Sequence, residues 1–324
     1  MIRPLCLALA LLGAAHAASA ERLRLAYWNT ELTRKGPGEL LRDLTRAEMP
    51  DIRAAVQTLD QLQADVVVLS GFDFDAGGLT LAALNALLAA PYAHQMALRP
   101  NAGVATGFDL DQNGVLGEAR DSMGFGWYPG QAGMAILSRQ PFDTVASRDF
   151  TSFLWKDLPG AHLPPLPAGA DEILRLSSVS HADTVIRLPT GQPLSLLTWH
   201  ATTPAFDGPE DRNGLRNADE NRFWTLLLDG ALPHAAPTGP YILIGQANVD
   251  PVKGDGIKEP IQSLLADPRL QNPLEGDTVD YGKGIGPLRV AYILPSAALN
   301  VVARGVLHPD TPSRHWPIWV DIDF

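Results

Sequence analysis

Seven short apolar runs, alternating with stretches of helix length, constrain this chain more than any other feature. The runs are Leu23 to Trp28, Asp65 to Leu69, Gly133 to Ser138, Leu194 to His200, Tyr241 to Gly245, Arg289 to Leu294 and Ile318 to Ile322. Helical spacing falls between them at Met49 to Gln63, Leu79 to Ala89, Asn217 to Leu228 and Gly256 to Leu265. Such alternation predicts an α/β or α+β chain, with sheets that must bury their apolar faces under something. Several runs end near polar groups: Asn29 and Glu31, Asp73, His200, Asn248, His315. Strand ends that meet along one sheet edge gather such groups into a cleft, so convergence of these residues is the central expectation.

Residues 1–20, MIRPLCLALALLGAAHAASA, carry one early charge at Arg3, an apolar stretch from Leu5 to Leu12 and small residues before Glu21. They read as a secretory signal peptide, leaving residues 21–324 as one domain and a secreted or periplasmic address. The single cysteine, Cys6, lies inside that segment, so the remaining chain has no thiol with which to form a disulfide. No later apolar run approaches the roughly 20 residues of a transmembrane helix.

The formal net charge is −11, and becomes −12 once Arg3 departs, since one of 25 basic residues goes and all 36 acidic ones stay. Long-range repulsion disfavours a polyanion, so nucleic acid is a poor expected partner. A small phosphoester or another anionic ligand fits the charge better. The Pro- and Gly-rich stretch from Lys156 to Ala170 reads as a surface excursion or lid.

Phe108 to Asp121 (FDLDQNGVLGEARD) opens as Asp109-x-Asp111-x-Asn113-Gly114, like a calcium loop. Oxygen ligands at alternate positions suit a cation that takes 6 to 8 oxygens. Asp109, Asp111, Asn113, the Val115 carbonyl and Asp121 are the expected ligands of a structural Ca2+. A turn rich in Asp, Asn and Gly gives the same pattern without an ion.

Seven segments carry a resemblance, in chain order: AYWNTEL, ADVVVLSGFD, GQAGMAILSRQPF, LLTWHATTP, ILIGQANVDP, RVAYILPS and SRHWPIWVDI. Together they resemble the endonuclease/exonuclease/phosphatase superfamily over roughly Arg22 to Phe324. The resemblance implies two packed mixed β-sheets flanked by helices, a four-layer sandwich, and hydrolysis of phosphoesters with a divalent metal, Mg2+ or Mn2+. Hard oxygen ligands suit such an ion, which lowers the pKa of bound water, while histidine and asparagine donors steady the charge growing on phosphorus. On the matching motifs, Asn29, His200, Asn248 and His315 take catalytic places and Glu31 a metal place.

Four acids of the pattern are replaced. Gly71 stands where a glutamate is expected, and Gln246, Ala291 and Arg314 stand where aspartates are expected. A glutamine hydrogen-bonds in both directions but cannot take a proton at neutral pH and is a weaker Mg2+ ligand than a carboxylate. Asp73, two residues beyond Gly71, shares its face in an extended chain and could serve as the metal ligand instead. Arg314, Arg212 and Gln246 are the candidate substrate-binding groups. Two chemistries thus stay open: a metal-dependent phosphoesterase with an impaired site, or a member that binds an anion or protein partner without hydrolysis. Phe206 to Trp224, which holds Arg212, Asn213, Arg216, Asn217 and Glu220, reads either as a phosphate clamp or as the solvated start of a helix.

Overall fold

The computed structural model describes residues 22–324, so the signal-peptide expectation for residues 1–20 lies outside the described residues. In chain order the strands are β1 (Arg22–Leu32), β2 (Val66–Phe72), β3 (His94–Leu98), β4 (Gly133–Ser138), β5 (Arg148–Asp149), β6 (His181–Arg187), β7 (Pro193–His200), β8 (Tyr241–Gln246), β9 (Val279–Asp280), β10 (Pro287–Leu288), β11 (Ala291–Pro295), β12 (Asn300–Val306) and β13 (Ile318–Asp323). The helices are α1 (Glu39–Arg46), α2 (Pro50–Leu62), α3 (Leu79–Ala86), α4 (Arg212–Leu228) and α5 (Glu259–Ala266).

One sheet has the order β12-β13-β1-β2-β4-β3 and the other β11-β8-β7-β6-β5, with β9 and β10 forming a separate short ribbon. Each large sheet is mixed. It holds one parallel pair, β1 with β2 or β7 with β8, and antiparallel neighbours elsewhere.

The period of two along each strand builds the layers. Leu23, Leu25 and Tyr27 of β1, with Val66 and Val68 of β2, meet Leu194 and Leu196 of β7, Ile242 and Ile244 of β8 and Ile293 of β11 in one buried cluster between the sheets. The alternate residues point outward. Ala26, Trp28, Val67 and Leu69 pack under Leu40, Ile52, Leu59 and Leu81 of α1 to α3. On the other side Leu197, Trp199, Leu243 and Tyr292 pack under Phe223, Trp224, Ile261 and Leu264 of α4 and α5. The result is the expected four-layer sandwich of helices, sheet, sheet and helices.

Two local expectations are corrected. The helix expected from Asn217 begins at Arg212, and its first half is not solvated: Arg216, Asn217, Asp219, Glu220 and Asn221 are all buried. The Lys156 to Ala170 excursion is fastened down rather than free. Asp219 accepts from Trp155 Nε1 (2.7 Å) and from the His162 backbone N–H (2.6 Å), while Trp155 and Leu158 are buried in the core.

Candidate active site

The inward-facing series of each strand continues past its last apolar rung into polar residues. After Leu25 and Tyr27 comes Asn29; after Leu196 and Thr198 comes His200; after Ile242 and Ile244 comes Gln246. The sheet register sets His200 beside Gln246 and Gln246 beside Ala291, one row across β7, β8 and β11. The cleft is therefore the place where the inter-sheet core runs out of apolar side chains. It has a volume of about 610 Å³, and its walls include Asn29, Glu31, His200, Gln246, Asn248, Arg314 and His315. These seven are brought together from four separate parts of the chain.

Amides occupy its floor. Gln246 Oε1 accepts from Asn29 Nδ2 (3.0 Å) and Tyr27 Oη (3.2 Å), and Gln246 Nε2 donates to Asn248 Oδ1 (2.5 Å). Asn248 Nδ2 donates to the Ala201 carbonyl (2.6 Å), which ties the end of β8 to the end of β7. Tyr27 Oη also shares a short contact with Ser70 Oγ, and burial holds the Tyr27 hydroxyl far above its usual titration range. All of these groups are neutral. The network needs no ion to satisfy it.

Two histidines flank the amides, with His315 Nε2 3.5 Å from Asn29 Nδ2. His315 is only 4% exposed. Burial lowers its pKa to about 4, and Arg314 adds to the effect while Glu31 opposes it. His200 keeps one side open to the cleft, yet dense surroundings first and the neighbouring His315 second push its pKa down to about 3. Both rings are neutral at pH 7. The Nδ1 of each ring is buried with no partner among the described residues.

Glu31 shares the cleft wall with two other carboxylates, Asp250 and Asp255, and Arg314 holds it. Oε1 accepts from Arg314 Nε (3.0 Å) and Nη2 (2.5 Å), and Oε2 accepts from the Arg314 backbone N–H (2.7 Å). Burial would raise the Glu31 carboxyl, but these hydrogen bonds outweigh it and hold the pKa below the ordinary value. The guanidinium lies over the Tyr281 ring at 5.2 Å.

Asp73 stands apart from this group and is outside the walls of the cleft. Its carboxylate accepts from Thr33 Oγ1 (2.6 Å), Tyr128 Oη (2.8 Å) and the backbone N–H groups of Arg34 (2.9 Å) and Ala132 (3.0 Å). Four donors fill its lone pairs, so it fastens three loops and offers nothing to an ion in the cleft. Gly71 cannot simply be exchanged for the expected acid either. It sits at φ +61°, and a Cβ there would fall 2.2 Å from Asn29 Oδ1. Asp250, also on the wall, accepts from the backbone of Val252, Lys253 and Arg289. Mg2+ asks for free hard oxygens in octahedral array. The donor set here fits it poorly: the amides are neutral, Glu31 is clamped by Arg314, Asp250 is taken up by backbone N–H groups, and Asp255 is the cleft carboxylate without such a clamp among the described residues.

Asp109, Asp111 and Asp121 come together elsewhere, with ligand oxygens within 4.8 Å of one another, and this cluster could hold a metal. Backbone N–H groups already serve it: those of Asn113 and Gly114 on Asp109, and those of Leu110, Gly117 and Glu118 on Asp121. Asn113 Nδ2 bonds Asp111 (3.2 Å) and Glu118 (2.7 Å), and Val115 is exposed. Arg212 stands at the start of α4, not on the cleft wall but on that of an adjoining cavity. Sequence reasoning missed Ser70 and Tyr27, though their place in the inward-facing series was available to find them.

The profile of the endonuclease/exonuclease/phosphatase family matches residues 26–315. The chain belongs to this family. Among solved structures, an endonuclease/exonuclease/phosphatase protein from Beutenbergia cavernae DSM 12333 is 22% identical with a TM-score of 0.57, covering 94% of this chain and 72% of that one. A mannosyl-6-phosphatase from Bacteroides thetaiotaomicron VPI-5482 is 15% identical at TM-score 0.54, covering 93% and 100%. A mutant beta toxin from Staphylococcus aureus, solved with bound magnesium ions, is 14% identical at TM-score 0.50, covering 93% and 99%. At these identities the likeness establishes the family's hydrolase fold. No curated protein matches the chain.

Proposed function

We propose that this chain binds a small phosphorylated or otherwise anionic ligand in the cleft, outside the cytoplasm, and that Mg2+- or Mn2+-dependent hydrolysis is severely impaired. The observation that carries the reading is the row His200, Gln246, Ala291. Where the family pattern expects carboxylates, it offers an amide and a methyl group. Replacement of one charged catalytic group commonly costs orders of magnitude in rate. The remaining donors suit recognition. Arg314 lies at the cleft lip with its side chain 57% exposed, and the two neutral histidines can take up protons beside an oxyanion.

The second reading, an exported metal-dependent phosphoesterase, is favoured by Asn29, His200, Asn248 and His315 standing around one cleft. Phosphatase relatives with this fold support phosphoester chemistry in either case. For the loop at Asp109, Asp111 and Asp121 we propose a structural Ca2+, an ion commonly abundant outside the cytoplasm.

One set of titrations tests these proposals. Calorimetry should detect inorganic phosphate binding without metal, and a panel of phosphomonoesters and diesters with Mg2+ or Mn2+ should show no turnover above buffer. Turnover abolished by His315→Ala would replace the first reading with the second. Thermal unfolding should rise with CaCl2 in the native chain and stay flat in Asp109→Ala. An equal response in both would remove the calcium proposal.

A further inference from the structure

Arg314 and Glu31 are each set in place by the backbone around them. The Arg314 carbonyl accepts from the Asp280 N–H (3.1 Å), and its two neighbours are pinned to β1: Ser313 Oγ donates to the Asn29 carbonyl (2.9 Å) and Trp28 Nε1 donates to the His315 carbonyl (3.0 Å). On the other side, the pairing of β1 with β2 shifts register between Asn29 and Leu32, and Glu31 lies in the left-handed region at φ +50°. Residues other than glycine are uncommon there and persist where the surroundings hold them. Asn29 Oδ1 supplies part of that hold by accepting the Glu31 N–H (3.2 Å).

The two side chains then meet in a fork. Nε and Nη2 of Arg314 both reach Glu31 Oε1, its backbone N–H reaches Oε2, and the Tyr281 ring backs the guanidinium. An isolated surface ion pair contributes little, but a fork fixed at both ends keeps its geometry. The guanidinium stays charged at every working pH. A divalent ion arriving at Glu31, the metal place of the family pattern, would meet that fixed positive charge on the very oxygens it needs. Nη1 has no partner among the described residues, so the same cation keeps a donor for a ligand.

We infer that Arg314 is a built-in replacement for the divalent ion: its guanidinium neutralises Glu31 and shuts that place to Mg2+ and Mn2+. Loss of the guanidinium reopens it, because Glu31 then joins Asp255 as a second unclamped carboxylate on the same walls. Exclusion of the ion stands apart from anion binding. Phosphate failing to bind the native chain would remove the reading proposed above and leave this one in place.

Mn2+ is the probe, since loss of its free EPR signal counts bound ions without any turnover. Asp109→Ala serves as the parent, so that the loop at Asp109, Asp111 and Asp121 contributes equally to every arm. Arg314→Ser on that parent should bind one Mn2+ more than the parent does, and its melting midpoint should rise as MnCl2 is added. Arg314→Lys, which keeps the positive charge, should bind no more than the parent, and Glu31→Gln combined with Arg314→Ser should return the count to the parent's. Should Arg314→Ser fail to fold, Arg314→Gln, which keeps an amide donor but no charge, is read by the same count. A folded uncharged variant that gains no ion would overturn the replacement, as would a gain that survives Glu31→Gln or that Arg314→Lys shows equally. An ion bound by the parent itself and lost on Glu31→Gln would overturn it without any change at Arg314.

Discussion

Asn29, Gln246 and Asn248 show why single residues decide this site. A glutamine reaches one methylene farther than an aspartate and its amide both donates and accepts, so Gln246 closes a neutral network among Tyr27, Asn29 and Asn248. A carboxylate there would instead face Asn248 Oδ1 and ask for a cation. The double variant Gln246→Asp/Ala291→Asp should therefore gain Mg2+-stimulated hydrolysis of bis-p-nitrophenyl phosphate, at least about 10²-fold over the native chain in kcat/KM. Steady-state assays with and without EDTA check this, and no gain would mean that replacement of these acids does not explain the impairment. Adding Gly71→Glu should not help. The left-handed backbone and the 2.2 Å approach to Asn29 Oδ1 would displace the asparagine that the site needs.

At the scale of elements, α4 holds the cleft open by binding backbone. Asn217 Nδ2 donates to the carbonyls of Thr202 (2.6 Å) and Ala247 (2.7 Å), which follow β7 and β8 respectively. Glu220 accepts from the N–H groups of Thr202 (2.5 Å) and Ser178 (2.6 Å), and Asn221 Nδ2 also reaches the Ala247 carbonyl (3.1 Å). One buried polar face thus sets the spacing of His200 and Asn248. Asn217→Ala should lower unfolding free energy by about 2–3 kcal/mol, because the Thr202 carbonyl loses its partner and the Ala247 carbonyl keeps only the longer bond. Urea denaturation measures it, and a loss under about 0.5 kcal/mol would show that the clamp is dispensable. In sequence these residues read either as a phosphate clamp or as the solvated start of a helix, since polar side chains that serve a neighbouring backbone have the composition of a solvated face. Strands β3, β6 and β12 were also missed: their polar and charged residues, as in HADTVIR of β6, interrupt the apolar runs by which the others announced themselves.

Across the whole molecule, two buried histidines, His181 and His315, and the half-buried His200 tie stability to pH. Burial lowers His181 to about 4, His200 to about 3 and His315 to about 4; His181 is held by Ser177 Oγ and the Glu220 carbonyl. In the unfolded chain each titrates near 6.5. Between that value and about 4 the unfolded state binds more protons, so the contribution of these groups is present above pH 6.5 and is lost as pH falls toward the folded pKa. Thermal melting between pH 7.5 and 4.5 should show the midpoint dropping on the acid side of 6.5, less steeply in His181→Gln if that variant folds. A flat profile would mean that the rings are not held neutral. What the sequence determined by itself was the alternation of strands and helices and the polar groups at the run ends, Asn29, His200, Asn248 and His315 among them, because apolar runs of strand length announce themselves locally, while the layering and the place of Gln246 came with the family resemblance. Only the tertiary structure decided how those groups are spent. Hydrogen-bond partners come from segments far apart in the chain, so it alone revealed Asp73 as a loop fastener, Glu31 as the captive of Arg314, and α4 as the brace behind the cleft.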